Sequence, residues 1–138
     1  MEFEKTYEIL GRSALLTEFE QAVYTIADNF LADYNGGMWQ EVAIPNGFFW
    51  RLKCDKNEKF CVSTPGGTYK ENVSADFAGL ALTEMACSYL LEKSYYGKIT
   101  LSNSEQDKII SVKRAIGDYV YSENGDKDLQ REYFELMD

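Results

Sequence analysis

The longest periodic stretch of the chain is SALLTEFEQAVYTIADNFLADYNGG. Leu16, Phe19, Val23, Ile26, Phe30 and Tyr34 recur in it at three- and four-residue intervals, the spacing that puts side chains on one stripe of an α-helix, with Ser13 or Thr17 available as N-cap. Asn35 and the two glycines after it tolerate positive φ, so the helix is expected to end there and the chain to reverse. One glycine would be enough for that. The stretch DYNGGMW, Asp33 to Trp39, therefore poses a question: is it only a terminator, or a loop built to touch something?

From Met38 the period shortens. MWQEVAIPNGFFWRLKCDKNEKFCVST is rich in aromatic and β-branched residues and is broken by PNG and DKNEK. This predicts a three-stranded antiparallel meander over about residues 38–44, 48–54 and 60–64, with Asn46-Gly47 as the turn pair and Pro45 in the turn. On the middle strand Phe48, Trp50, Leu52 and Cys54 share the face expected to be core, and Phe49, Arg51 and Lys53 share the other. PGGTYKEN reads as a loop.

VSADFAGLALTEMACSYLLEK is apolar nearly all round from Ala75 to Leu91, the pattern of a buried central helix, with Ser74 as N-cap and Asp76 in the first turn, where a carboxylate complements the helix dipole. Gly79 within it costs about 1 kcal/mol relative to alanine, so the close approach of another backbone is expected there. A further helix follows, with Ser102 and Glu105 as a capping box and Ile109, Val112, Ile116, Tyr119 and Val120 as its stripe. A last short helix is capped by Asp126 and buries Leu129, Tyr133, Phe134 or Met137. The expected fold is α+β: a long N-terminal helix, a three-stranded antiparallel meander, then a buried central helix and two further helices. The 138 residues predict one domain, of which only the first ten or so residues are expected to be loosely held.

Composition narrows the function classes. No segment reaches the roughly 20 apolar residues that cross a bilayer, and MEFEKTYEIL opens acidic rather than with a basic flank, so a soluble cytoplasmic protein is expected. Cys54, Cys61 and Cys87 are an odd count without secretory context. Cys54 and Cys61 could face each other if Asp55 paired with Phe60, but two reduced thiols on neighbouring strands are the simpler reading. The net charge of −9 is uneven: residues 1–35 hold 7 acids and 2 bases, 36–104 hold 7 and 7, and 105–138 hold 9 and 5. Two acidic ends repel phosphate backbones, and no Lys/Arg cluster is dense enough to supply the counterion-release drive for nucleic-acid binding. Acidic faces can imitate DNA, although solvated helix faces are the commoner explanation.

The chain has no histidine. Ser-His-Asp and Cys-His catalysis and histidine-ligated zinc are thereby removed, and three cysteines without CxxC spacing do not make a structural zinc site. TPGGTY lacks the lysine and the immediate helix of a phosphate-binding loop. No catalytic, cofactor or metal residues are therefore assigned. Asp33 and Asp76, if close, would repel unless a proton or a cation lay between them, which is the one route to a metal-dependent enzyme. Trp39, Phe48, Phe49 and Trp50, with Arg51, Lys53, Lys56 and Lys59 nearby, offer the alternative of a small nucleic-acid-binding module that stacks bases.

ADYNGGMWQ, IPNGFFW, VSADFAGLAL and AIGDYVYSENGDKDLQREYFELMD, in this order and at these distances, resemble the ArdB/KlcA family of antirestriction proteins over roughly residues 20–138. Ahead of that, MEFEKTYEILGRS stands where members of that family carry a longer segment. The matching positions are Asp33, Tyr34, Gly36, Gly37, Trp39, Asn46, Gly47, Ser74, Ala78, Gly79, Asp118 and Tyr119. The resemblance implies a plasmid- or prophage-borne α+β protein that relieves type I restriction of incoming unmodified DNA without catalysis. Its implied partner is a type I restriction enzyme or the DNA-bound complex of one, and tight direct DNA binding is not expected. The expected interaction surface comprises Asp33, Tyr34, Asn35, Trp39, Asn46, Asp76, Asp118 and Tyr119, on a monomer or weak homodimer, with no cofactor.

Overall fold

The computed structural model describes residues 3–138. Its elements are α1 (Glu4–Leu10), α2 (Ala14–Phe30), β1 (Trp39–Ile44), β2 (Gly47–Leu52), β3 (Phe60–Ser63), β4 (Tyr69–Val73), α3 (Ala75–Tyr95), α4 (Asn103–Val120) and α5 (Lys127–Met137). The class is α+β, but the strands form two separate antiparallel pairs, β1 with β2 and β3 with β4, rather than a three-stranded meander.

α3 explains why. It is the buried helix that its sequence predicts, lying against α2, β2 and α4. Ser74 caps it, accepting from the Phe77 N–H at 3.1 Å. Thr83 accepts from the Trp50 N–H at 3.0 Å and donates to the Trp50 carbonyl at 3.3 Å, so α3 satisfies the β2 backbone on the side away from β1. One turn earlier, a Cβ on Gly79 would stand 2.6 Å from the Trp50 carbonyl oxygen and 2.8 Å from Arg51 Cβ. The backbone approach expected at Gly79 is therefore present. With its outer edge occupied by a helix, β2 has no room for β3.

β3 pairs instead with β4, so half of the segment expected to be a loop, PGGTYKEN, is strand, from Tyr69 onward. Their turn is tied by Thr64 N–H to the Thr68 carbonyl at 2.9 Å and by Gly67 N–H to the Thr64 carbonyl at 2.9 Å. The β1–β2 turn is also displaced by one residue: Ile44 pairs with Gly47, so Pro45 and Asn46 are the central residues. Proline first and a positive-φ residue second (Asn46, φ 65°) is the preference of a type II turn, and Gly47 is tucked against Ala115. β2 is covered on both faces, since Phe48, Phe49 and Trp50 are all buried.

The long helix begins after Ser13 as expected, yet it is not the first, and it stops at Phe30, before Tyr34 and the glycines. Leu31 is already extended and forms an antiparallel bridge to Val62, so strand pairing rather than DYNGG ends the helix. The segment expected to be loosely held contains α1, whose N-terminal turn is fastened from outside. The Glu41 carboxylate accepts the N–H groups of Lys5 and Thr6 and the Thr6 hydroxyl, and Thr6 in turn accepts Trp50 Nε1–H at 3.0 Å. The Ser102–Glu105 capping box of α4 and the Asp126 cap of α5 form as predicted. α5 buries Tyr133 and Leu136, while Phe134 is exposed. No helix among the described residues is long and apolar enough to cross a membrane.

Candidate functional site

A cleft of about 550 Å³ lies between the segment that follows α2 and the ends of the two hairpins. One wall is the chain from Leu31 to Gly37. Leu31 is buried and bridges Val62, and the Ala32 N–H donates to the Cys61 carbonyl at 3.0 Å, which anchors the entry. The Tyr34 N–H closes back onto the Leu31 carbonyl at 3.3 Å, and Asp33 between them takes φ 61°. The Tyr34 hydroxyl accepts Trp39 Nε1–H at 3.3 Å, with ring centroids 5.9 Å apart. Beyond it, Gly36 (φ 97°) and Gly37 (φ 127°) use backbone conformations open to glycine. The exit is fixed where the Lys53 N–H donates to the Met38 carbonyl at 2.7 Å.

The facing wall comes from Lys53 and Cys54 after β2, from Glu58 to Cys61 at the start of β3, and from Glu71 and Asn72 of β4. Asn72 is a second non-glycine residue at positive φ, 57°. Thus the cleft collects two of the three positive-φ non-glycine residues among the described residues, together with two positive-φ glycines. Such conformations persist only where the surrounding structure holds them, and they concentrate at functional surfaces. The lining carries both signs of charge, with Asp33, Glu58 and Glu71 against Lys53 and Lys59. Burial, aided by Glu58, pushes the Cys54 thiol up, so it stays protonated at neutral pH, unlike a nucleophilic cysteine. Cys54 and Cys61 are free thiols, and since β2 and β3 are not paired they do not oppose each other across a hairpin.

Of the eight residues expected at an interaction surface, the structure brings Asp33, Tyr34 and Asn35 together in this cleft. Asp33 and Asn35 are exposed and Tyr34 is half-buried. Trp39 is buried, 8% exposed, and supports the loop from beneath. Asn46 is exposed in the β1–β2 turn, outside the cleft lining, and Asp118 and Tyr119 are exposed on α4. Asp76 is also outside that lining: its carboxylate accepts Arg51 Nη1–H at 2.8 Å. It has a cationic partner of its own, which removes the reason to pair it with Asp33 around a metal. The strand aromatics do not form a stacking platform either, because Phe48, Phe49 and Trp50 are at most 4% exposed.

Sequence reasoning missed Lys53, Glu58, Lys59, Glu71 and Asn72 as parts of one site. The only local signal was an Asx residue tolerant of positive φ just before the Ser74 cap. Their convergence depends on β3 pairing with β4.

Comparison with curated proteins finds no match. Residues 32–108 match the family model described as antirestriction protein, a span of 77 of the 138 residues. That span contains every lining residue of the cleft except Leu31, and it ends inside α4. With more than half of its length covered, the chain belongs to the antirestriction protein family.

Proposed function

We propose that this protein relieves type I restriction, in the manner of the ArdB/KlcA branch of its family, by contacting the restriction enzyme or its DNA-bound complex rather than by catalysis. The observation that carries the reading is the coincidence of the family span with the cleft: the part of the chain that matches is the part that builds the DYNGG wall and the wall facing it. A lining of mixed charge suits a surface for another protein's polar groups. The −9 charge disfavours a direct grip on DNA phosphates.

In this reading Asp33, Tyr34 and Asn35 form the contact. Trp39 is their support. Asn46, Asp76, Asp118 and Tyr119 lie outside the cleft, and Asp118 and Tyr119 offer an additional exposed patch. The chain acts as one unit in the cytoplasm of a cell that carries a plasmid or prophage. The test is the plating efficiency of unmodified phage on two hosts, one with an active type I system and one with a type II system, with and without the protein. Recovery confined to the type I host is expected. Equal recovery on both hosts, or none on either with the folded protein present, would refute the type I assignment.

A further inference from the structure

A second hollow, of about 270 Å³, shares Gly37 with the cleft and is walled by Phe3, Tyr7, Tyr24, Trp39, Trp50 and the carboxylate-bearing Glu20. Phe3, Tyr7 and Tyr24 beside one acid, over a floor formed by the nearly buried Trp39 and Trp50 (8% and 4% exposed), is a composition that suits a cation, because ring faces are negative and attract ammonium or guanidinium groups. The volume is that of a single long side chain, below the usual range for drug-sized ligands.

The rings are held in place before any ligand arrives. Phe3 packs on Trp50 with centroids 5.1 Å apart and on Tyr7 at 6.4 Å. Trp50 Nε1–H is held by Thr6 and Trp39 Nε1–H by Tyr34, so both indoles have their polar atoms satisfied elsewhere. Glu20 and Tyr24 are one turn apart on α2, with the Tyr24 hydroxyl donating to Glu20 Oε1 at 2.9 Å. Burial and then Glu20 push that phenol up to about 12, so it remains a neutral donor. Met38, 64% exposed, stands at the rim.

Charge favours a cation as occupant. Residues 1–35, which supply Glu20 and three of the rings, hold 7 acids against 2 bases. The Arg12 guanidinium, outside the lining of the hollow, lies 4.1 Å from the centroid of Tyr7, so that ring already holds a cation of this chain on one side. We propose that this hollow is a docking socket for one arginine or lysine side chain presented by a protein partner, adjoining the cleft through the Gly37–Trp39 segment. DYNGGMW then lines two sites, with Asp33 to Gly37 facing the cleft and Gly37 to Trp39 facing the socket.

Trp39 and Trp50 are the two tryptophans of the chain, so intrinsic fluorescence reports on the socket directly. The intact protein is titrated, at constant ionic strength, with the peptides acetyl-Gly-Arg-Gly-amide and acetyl-Gly-Lys-Gly-amide, and with the arginine peptide's uncharged citrulline isostere. A saturable change is expected with the arginine or lysine peptide and none with citrulline. Glu20→Gln should weaken binding by about threefold or more, as expected for loss of one partly exposed charge partner. An equal response to citrulline would overturn the proposal, as would no saturable response to either cationic peptide at tens of millimolar, or identical affinity in Glu20→Gln. The titration is independent of plating efficiency, so its failure and that of the restriction reading are separable.

Discussion

At the scale of single residues, Glu41 does for α1 what that helix does not do for itself. Phe3, the N-cap, makes no side-chain cap, and the carboxylate that takes the Lys5 and Thr6 N–H groups arrives from β1, 35 or 36 positions along the chain. Thr6, fully buried, relays the arrangement to Trp50. Glu41→Ala should cost about 1–3 kcal/mol, as the loss of a cap that leaves donors unsatisfied. Urea denaturation followed by far-UV circular dichroism measures it. A change below about 0.5 kcal/mol would mean that water replaces the carboxylate without loss. This cap was not legible in advance: a local capping box such as Ser102–Glu105 can be read from spacing, but a glutamate on β1 that caps α1, with the whole of α2 between them in the chain, leaves no local trace.

At the scale of elements, the contact of α3 with β2 decides the sheet arrangement. Gly79→Ala puts a methyl group 2.6 Å from the Trp50 carbonyl oxygen. It should destabilise by about 1–3 kcal/mol despite the better helix propensity of alanine. Gly117, in α4, has open space where its Cβ would be. There the same change should stabilise by about 0.5–1 kcal/mol. Opposite signs in one denaturation series are the test, and a destabilised Gly117→Ala would contradict the packing described. The strand positions were readable because aromatic and β-branched runs mark them. Their partners were not, because pairing depends on which edge a helix occupies, and that is settled by Gly79 and Thr83 together.

The docking of α5 on α3 gives a pH prediction. The Tyr133 hydroxyl donates to Glu84 at 2.9 Å, and burial followed by Glu84 pushes the phenol well above its ordinary value near 10. Burial likewise pushes Cys87 from 9.0 to about 12. Both groups are neutral in the folded protein and ionise more readily once unfolded. Their contribution is complete below the unfolded values and is lost as pH rises from 9 toward the folded ones. The melting temperature should therefore fall from pH 9 upward. Tyr133→Phe should cost about 1–2 kcal/mol at pH 7 through its lost hydrogen bond, yet decline less steeply between pH 10 and 11. An equally steep decline would show that Tyr133 does not carry the effect.

At the scale of the whole molecule, a chain without histidine, with a net charge of −9, gathers four of the eight positive-φ residues among its described residues in one cleft. Asp33, Tyr34 and Asn35 were recognisable beforehand, because polar residues beside two glycines mark a loop whatever the loop is for. Their facing wall was not, since it forms only when β3 folds back on β4 and the 53–59 connection lies beside it. The DYNGG glycines do not end α2: Leu31 does, by pairing with Val62, and the residues after it are left to shape the cleft.

In the proposed reading, this cleft makes the contact by which the protein relieves restriction. The double variant Asp33→Asn, Asn35→Arg tests it with little risk to folding. Asparagine tolerates the positive φ at 33, and Asn35 is exposed. Plating efficiency of unmodified phage on a type I restricting host is measured with the parent and with the double variant at equal soluble levels and equal melting temperature. Strong recovery is expected with the parent, and a drop of about tenfold or more with the variant, the size expected when a central contact is lost. Full recovery with both proteins would show that the cleft is not the contact and move it elsewhere on the molecule.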